Sequence, residues 1–243
     1  MQTKRIAILF SGNGSNLEAL IKALHQQCFI PSKRLENTKQ STIGGFLVGD
    51  ILIEGFFIGG LSHTFKESDI ADKHANQAFK VEVVLALSNK SDAYGLTRAQ
   101  RLGIPTQIIQ STGKTREAFD AELVARLQPL GLDLCVLAGF MRILTPTFTQ
   151  KIRAINIHPS LLPLFKGTNG IAESYASPMR LGGVSVHYVS EELDSGEIIA
   201  QGVIPKIAGE TLESYEERIH KLEHTLYPLA VLEALMAKQG EEK

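Results

Sequence analysis

Short apolar runs separated by helix-like segments constrain the fold of this chain most strongly. The runs, in chain order, are 6–10, 81–87, 104–109 and 133–138. Segments with apolar residues at helical spacing lie between or beside them, at 16–24, 93–102 and 116–127. Continuously apolar strands that alternate with helices are typical of a parallel sheet covered on both faces. The sequence therefore predicts an α/β, Rossmann-like fold with a mostly parallel sheet and helices on both faces.

The pattern changes in the C-terminal half. The segments 184–189 and 197–204 resemble two strands joined around the turn-like residues 191–196. They predict antiparallel strands added to the parallel sheet. A terminal helix is expected from about Thr211 to Lys238, with a break near Pro228, because proline removes a helical hydrogen bond.

Residues 29–75 interrupt this alternation. A polar, basic stretch is followed by the apolar, glycine-rich segment from Gly44 to Gly60. A structureless loop of that length would be unusual, so we expect a hairpin or a pair of short strands, inserted into one domain that spans residues 1–243. Its apolar part should bury itself at the sheet edge or in a subunit contact.

Composition excludes several classes of protein. The 25 Lys and Arg residues balance 26 Asp and Glu residues, so the net charge of −1 is not that of a nucleic-acid-binding protein and favours small-molecule substrates. No apolar stretch approaches a membrane span, and the first apolar run is too short for a signal peptide. Cys28 and Cys135 indicate neither a disulfide framework nor a cysteine-rich zinc site, and Cys135 lies in an apolar strand where a structural thiol is expected. A cytoplasmic protein is expected, and the sequence neither predicts nor excludes a homodimer.

The octapeptide from Asn156 to Pro163 carries most of the functional information. In an extended segment Asn156 and His158 point to the same side. Transfer of an acyl or formyl group to an amine needs an oxyanion donor and a proton relay, which an amide and an imidazole supply. Asp194, in the turn between the two C-terminal strands, is the candidate carboxylate that orients the imidazole.

A glycine turn after the first strand is the second candidate site. Residues 11–16 lie between a strand and a helix, where free amides favour an anion. The third glycine of a dinucleotide fingerprint would fall at Leu17, so a phosphate monoester fits better, although a turn without a ligand is an equal alternative. Gly113-Lys-Thr115 lacks the glycine that a P-loop needs at Ile108. His220 and His224 lack the zinc-protease spacing, so no metal is expected.

Seven motifs follow one another along nearly the whole chain. They are residues 11–17 (SGNGSNL), 88–95 (SNKSDAYG), 137–144 (LAGFMRIL), 156–163 (NIHPSLLP), 185–187 (SVH), 192–196 (ELDSG) and 223–228 (EHTLYP). In this order they resemble the folate-dependent phosphoribosylglycinamide formyltransferases of purine biosynthesis. The resemblance implies transfer of a formyl group from 10-formyltetrahydrofolate to the amino group of glycinamide ribonucleotide, through a tetrahedral intermediate and with no metal.

The resemblance also implies roles for individual residues. The catalytic residues would be Asn156, His158 and Asp194, with a water on Asp194 that relays protons and His187 in support. The substrate phosphate and ribose would be bound by Gly14, Ser15, Asn16, Arg116 and Glu223. The folate would be bound by Met141, Arg142, Ile143, Leu144 and Asn156, with the backbone of Arg142 and Leu144 holding the pterin. The N-terminal half would thus bind the ribonucleotide and the C-terminal half the folate.

One departure concerns the loop after Pro163. The family commonly continues with Tyr-Pro-Gly and histidines, whereas this chain has residues 164–171 (LFKGTNGI), so contacts from this loop are not implied. The insertion at 29–75 also departs from the common form. Three alternative functions are considered. A methionyl-tRNA formyltransferase would carry a further C-terminal module and a basic surface, and a formylfolate hydrolase would carry an N-terminal regulatory module. The third alternative is a non-catalytic ligand-sensing domain with the same fold.

Overall fold

The computed structural model describes residues 1–30 and 78–237, and four short strands between them. The strands are β1 (Gln2–Phe10), β2 (Cys28–Ile30), β3 (Leu47–Val48), β4 (Ile51–Leu52), β5 (Phe56–Ile58), β6 (His63–Phe65), β7 (Phe79–Ser88), β8 (Thr106–Ile108), β9 (Leu134–Leu137), β10 (Ala154–His158), β11 (Leu181–Tyr188) and β12 (Ile198–Pro205). The helices are α1 (Ser15–Leu24), α2 (Tyr94–Arg101), α3 (Arg116–Leu127), α4 (Pro146–Thr149), α5 (Gly170–Ala176) and α6 (Leu212–Met236), with a 3₁₀ turn at Gln128–Leu130.

Five parallel strands form the centre of the sheet, in the order β8-β7-β1-β9-β10. On β1 the side chains of Ile6, Ile8 and Phe10 enter one core and those of Ala7 and Leu9 enter the other. The first core is shared with α1, α2 and α6, and the second with α3 and α4. Both faces of the sheet are therefore covered, which confirms the predicted α/β fold.

Antiparallel strands extend the sheet beyond β10. β10 pairs with β9 in parallel and with β11 antiparallel, and β11 then pairs antiparallel with β12. The two C-terminal strands predicted from the sequence are confirmed. β10 is thus the strand at which the pairing direction changes.

The last helix corrects one expectation. α6 continues through Pro228, which is buried, and the predicted break is wrong. Proline removes only the hydrogen bond that its own nitrogen would donate. Its buried neighbours Leu226, Tyr227 and Val231 pack into the core, and this packing holds the helix together. The side-chain oxygen of Thr211 caps its first turn by accepting from the Ser214 N–H at 3.2 Å.

The interpretation of residues 29–75 as an insertion falls mostly outside the described residues. Within it, β3 and β4 pair antiparallel, as a hairpin would. β5 pairs antiparallel with β12 and lies at the edge of the sheet beyond it, and β6 pairs with β2. The described strands thus include one at the sheet edge, where the apolar segment was expected. Among the described residues, no helix is both long and apolar enough to span a bilayer.

Candidate active site

Three segments of the candidate site follow neighbouring parallel strands. The glycine turn follows β1, residues 139–144 follow β9, and His158 ends β10. Since β1, β9 and β10 are parallel, their carboxyl ends meet at one edge of the sheet, which is where α/β proteins bind their ligands. The topology therefore brings together residues that lie more than 140 positions apart in the sequence.

Asn156 lies directly opposite His187 in the antiparallel pair of β10 and β11. The His187 Nδ1–H donates to the Tyr188 carbonyl at 2.9 Å, so Nε2 accepts from the Asn156 amide nitrogen at 3.3 Å. Burial lowers the pKa of His187, which favours this neutral form. His187 thereby orients the Asn156 amide, and the second N–H of this amide is available to a ligand.

Asp194 lies beside both histidines and is buried. Its Oδ2 is 3.4 Å from His158 Nδ1, and its Oδ1 is 3.7 Å from His187 Nε2. The Gly167 N–H donates to Oδ2 at 2.9 Å. Asp194 has a φ of +49°, a left-handed conformation that Asp and Asn tolerate better than most residues. The turn between β11 and β12 thus directs a carboxylate towards the end of β10, as the sequence predicted.

The loop after Pro163 also reaches His158. The Phe165 carbonyl accepts from His158 Nε2 at 2.7 Å, and Phe165 has a φ of +54°. A carbonyl oxygen only accepts, so Nε2 carries a hydrogen and Nδ1 faces Asp194. Both ring nitrogens of His158 are therefore engaged by the protein.

A cavity of about 430 Å³ opens onto these side chains. Asn156, His158, His187 and Asp194 lie at its wall, together with Met141 to Leu144. Met141, Ile143 and Leu193 are 67%, 41% and 47% exposed and give the cavity an apolar rim. An apolar cavity with a few convergent polar groups is typical of a site for a small organic molecule.

The cavity wall at residues 141–144 is held from both ends. The Arg142 guanidinium carbon lies 4.9 Å from the centre of the Phe119 ring. Asp120 Oδ2 accepts from the Thr145 N–H at 2.6 Å and from its hydroxyl at 2.7 Å. The Met141 N–H donates to Ser11 Oγ at 2.8 Å, which ties this wall to the glycine turn.

Arg116, expected at the substrate phosphate, lines the cavity together with Met141 to Leu144. It is the first residue of α3 and is exposed. Its role at a phosphate stays a prediction. Its position supports a role on the same side as the expected folate contacts.

The glycine turn leads into α1. Gly14 caps the helix with a φ of 76°, and Ser15 is the first helical residue. Asn16 Nδ2 donates to Glu223 Oε2 at 3.0 Å, and His220 Nδ1 lies 2.8 Å from the same oxygen. The hydrogen bond with Glu223 raises the pKa of His220. The two groups expected at the phosphate and ribose, Asn16 and Glu223, are therefore in direct contact.

Sequence reasoning missed several contacts of the site. Phe165 and Gly167 act through a backbone carbonyl and a backbone N–H, for which residue type carries no signal. Arg98, on α2, binds Asn13 of the glycine turn. The two residues are far apart in the sequence, and no sequence pattern indicated that they are in contact. Among the described residues, no three His, Cys, Asp or Glu side chains are grouped to hold a metal ion. Cys135 is fully buried in β9, and burial raises the pKa of its thiol.

The chain resembles known proteins over most of its length. The formyl transferase family model matches residues 55–231. A phosphoribosylglycinamide formyltransferase from Escherichia coli strain K12 is 40% identical over 165 residues, which are 67% of this chain and 78% of that protein. The one from Haemophilus influenzae is 32% identical over 231 residues, or 94% of this chain and 85% of that protein.

Solved structures give the same result. The crystal structure of phosphoribosylglycinamide formyltransferase from Campylobacter jejuni is 43% identical, with a TM-score of 0.72, and the match covers 96% of this chain and 97% of that one. Trifunctional purine biosynthetic proteins from Chironomus tentans, Bos taurus and Homo sapiens also match, and the chain spans only 13 to 18% of their length. The chain belongs to the formyl transferase family, among the phosphoribosylglycinamide formyltransferases.

Proposed function

We propose that this enzyme transfers a formyl group from 10-formyltetrahydrofolate to the amino group of glycinamide ribonucleotide in de novo purine biosynthesis. The chain acts as one domain, with the ribonucleotide bound mainly by the N-terminal half and the folate by the C-terminal half. The partners are these two small molecules. The chemistry requires no metal.

The convergence of Asn156, His158 and Asp194 at one end of the cavity carries this proposal. His187 Nε2 lies 3.3 Å from the Asn156 amide nitrogen and 3.7 Å from Asp194 Oδ1. The other oxygen of Asp194 lies 3.4 Å from His158 Nδ1, so an amide donor, an imidazole and a carboxylate meet at one place. These are the groups that formyl transfer between two nitrogens needs. The apolar rim at Met141, Ile143 and Leu193 suits the flat pterin of a folate.

The reaction begins when the amino nitrogen of the ribonucleotide attacks the formyl carbon. A carbon–nitrogen bond forms, and the carbonyl electron pair moves to oxygen. The free Asn156 N–H donates to this oxyanion, and its orientation is set before the reaction by His187. Such an oriented donor stabilises the transition state without reorganisation.

Proton transfer completes the reaction. The attacking nitrogen must lose a proton, and N10 of the folate must gain one before the carbon–nitrogen bond to it breaks. Asp194 accepts the first proton through a water, and the same relay supplies the second. The Gly167 N–H holds Asp194 in place by donating to Oδ2 at 2.9 Å. His158 Nδ1 lies 3.4 Å from the same oxygen and pairs with the carboxylate when the imidazole is protonated on both nitrogens.

The remaining residues bind the parts of the substrates that do not react. The N–H groups of Gly14, Ser15 and Asn16, at the start of α1, bind the phosphate. Glu223 binds the ribose hydroxyls. At the cavity wall, the Arg142 and Leu144 backbone binds the pterin, and Met141 and Ile143 contact its faces.

The test is a spectroscopic assay of formyl transfer with purified parent and Asp194→Asn. Asn keeps the size of the side chain and tolerates the φ of +49°, so the turn is retained. Removal of the proton relay should lower kcat by about 10²-fold or more. The control is Glu192→Gln, the same change at a neighbouring exposed carboxylate, and it should keep kcat within about twofold.

Two results would overturn the proposal. A folded parent that transfers no formyl group to glycinamide ribonucleotide would exclude the activity. Near-parental turnover by Asp194→Asn, with an unchanged melting temperature, would exclude the assigned relay.

A further inference from the structure

Two carbonyl groups of the glycine turn before α1 are bound by α2. The Gly12 carbonyl accepts from the Gly95 N–H at 3.1 Å. The Asn13 carbonyl accepts from Arg98 Nε at 3.0 Å, and the Asn13 side-chain oxygen accepts from Arg98 Nη2 at 3.0 Å. The Gly12 carbonyl and both oxygens of Asn13 are therefore occupied on the α2 side.

α2 also packs directly against the turn. A Cβ atom added to Gly14 would lie 2.6 Å from the Gly95 Cα, closer than real Cβ contacts. A Cβ atom added to Gly95 would lie 2.5 Å from the Phe10 ring. Since neither glycine leaves room for a methyl group, the turn and the first turn of α2 form one tightly packed unit.

Arg98 is held in place by further contacts. Its guanidinium lies 4.9 Å from the centre of the Tyr94 ring and pairs with Glu18 of α1. Glu18 also pairs with Lys22 at 2.6 Å. Arg98 and Lys22 thus share Glu18 on the α2 side of α1, and Glu223 contacts Asn16 from α6.

A turn whose carbonyls face away presents mainly N–H groups on its other side, and successive N–H groups form an anion-binding concavity. A carbonyl that turned towards the ligand would repel a phosphate. The forked guanidinium of Arg98 binds both oxygens of Asn13 at once, which the point charge of a lysine cannot do in the same way.

We propose that Arg98 is a positioning residue for the phosphate of the ribonucleotide. It holds the Asn13 carbonyl towards α2, so that the turn offers donors to the phosphate, and it adds a positive charge near the start of α1. Arg98 acts through the turn, without contact to the phosphate. This inference rests on the proposed function, which places the phosphate at this turn.

The test compares Arg98→Met and Arg98→Lys with the parent. Arg98→Met should raise KM for glycinamide ribonucleotide about fivefold or more, while kcat and KM for 10-formyltetrahydrofolate stay within about twofold. Arg98→Lys should lie between, because it keeps the charge and loses the fork. Arg101→Met is the control, since Arg101 lies on the same helix and its described hydrogen bond is an exposed one to the Tyr94 hydroxyl.

A second measurement does not depend on the proposed reaction. Inorganic phosphate should raise the melting temperature of the parent, and Arg98→Met should need about fivefold more phosphate for the same shift. If Arg98→Met needs more phosphate than the parent but the parent transfers no formyl group, the proposed function is rejected and the role of Arg98 at the phosphate-binding turn is retained. Equal phosphate requirements for parent and variant, or no stabilisation of the parent by phosphate, would overturn the inference. A lower melting temperature of Arg98→Met, with unchanged KM and an unchanged response to phosphate, would show that Arg98 is merely structural and would also overturn the inference.

Discussion

The main-chain carbonyl of Phe165 accepts a 2.7 Å hydrogen bond from His158 Nε2. Phe165 has a φ of +54°, and this left-handed conformation aims its carbonyl at the histidine. The contact fixes the hydrogen on Nε2 and turns Nδ1 towards Asp194. The loop after Pro163 therefore orients the imidazole.

Phe165→Pro should break this contact, because proline fixes φ near −65°. With His158 free to rotate, kcat should fall by about tenfold or more. Phe165→Gly is the matched control: it also removes the ring but allows the positive φ, so it should keep a kcat several-fold closer to the parent. Steady-state kinetics and melting curves of both variants check this. Equal or faster turnover by Phe165→Pro would show that the contact between the Phe165 carbonyl and His158 is not needed for transfer.

His187→Leu should lower kcat by about tenfold or more, with little change in either KM. Leucine cannot accept the Asn156 N–H, so the amide loses its orientation towards the oxyanion. His187→Gln keeps an acceptor and should retain more activity than His187→Leu. Equal kcat for these two variants would show that His187 does not act through Asn156.

Arg116→Ala tests whether this side chain contacts the folate or the phosphate of the ribonucleotide. Since Arg116 lines the cavity with Met141 to Leu144, its loss should raise KM for 10-formyltetrahydrofolate about two- to fivefold and leave KM for the ribonucleotide unchanged. Arg126→Ala, near the other end of α3, should change neither constant. A higher KM for the ribonucleotide alone would support a role of Arg116 at the phosphate, as the family resemblance implied.

Stability should fall as the pH drops from about 7.5 to about 5.5. Burial lowers the pKa of His25, His187 and His224 from 6.5, so below that pH the unfolded chain binds protons that the native protein does not. Their contribution to stability is present above pH 6.5 and is lost towards acid. Melting temperatures across this range check the prediction, and a value that is flat or rises towards acid contradicts it.

His220→Gln should make that fall steeper. The hydrogen bond with Glu223 raises the pKa of His220, so this group stabilises the fold fully below pH 6.5 and loses its effect as the pH rises through the raised value. It therefore opposes the other three histidines. An equally steep fall in parent and variant would show that the pair contributes nothing measurable.

The parts of the fold that depend on local patterns could be predicted. α3 has the predicted limits, Arg116–Leu127, and β11 and β12 pair antiparallel, as predicted from the two strand-like segments around the turn-like residues 191–196. The break at Pro228 was predicted from local propensity, and burial of α6 overrides it.

The candidate site could be predicted only where side-chain chemistry marks it. Asn156, His158 and Asp194 carry such a signal, and the structure brings them to one end of a cavity. The sequence did not indicate the Phe165 carbonyl or the turn-binding contacts of Arg98. Both depend on where the backbone of one segment meets another, and residue types do not encode that locally.

The position of β10 links activity to folding. Asn156 has Leu137 of the parallel half on one side and His187 of the antiparallel half on the other. A molecule in which β11 and β12 open locally keeps a parallel sheet but no longer holds Asn156 against His187 or His158 against Asp194. The proposed catalytic roles therefore require both halves to be docked, and turnover should be lost in any molecule in which β11 and β12 have opened, even while the rest of the sheet stays folded.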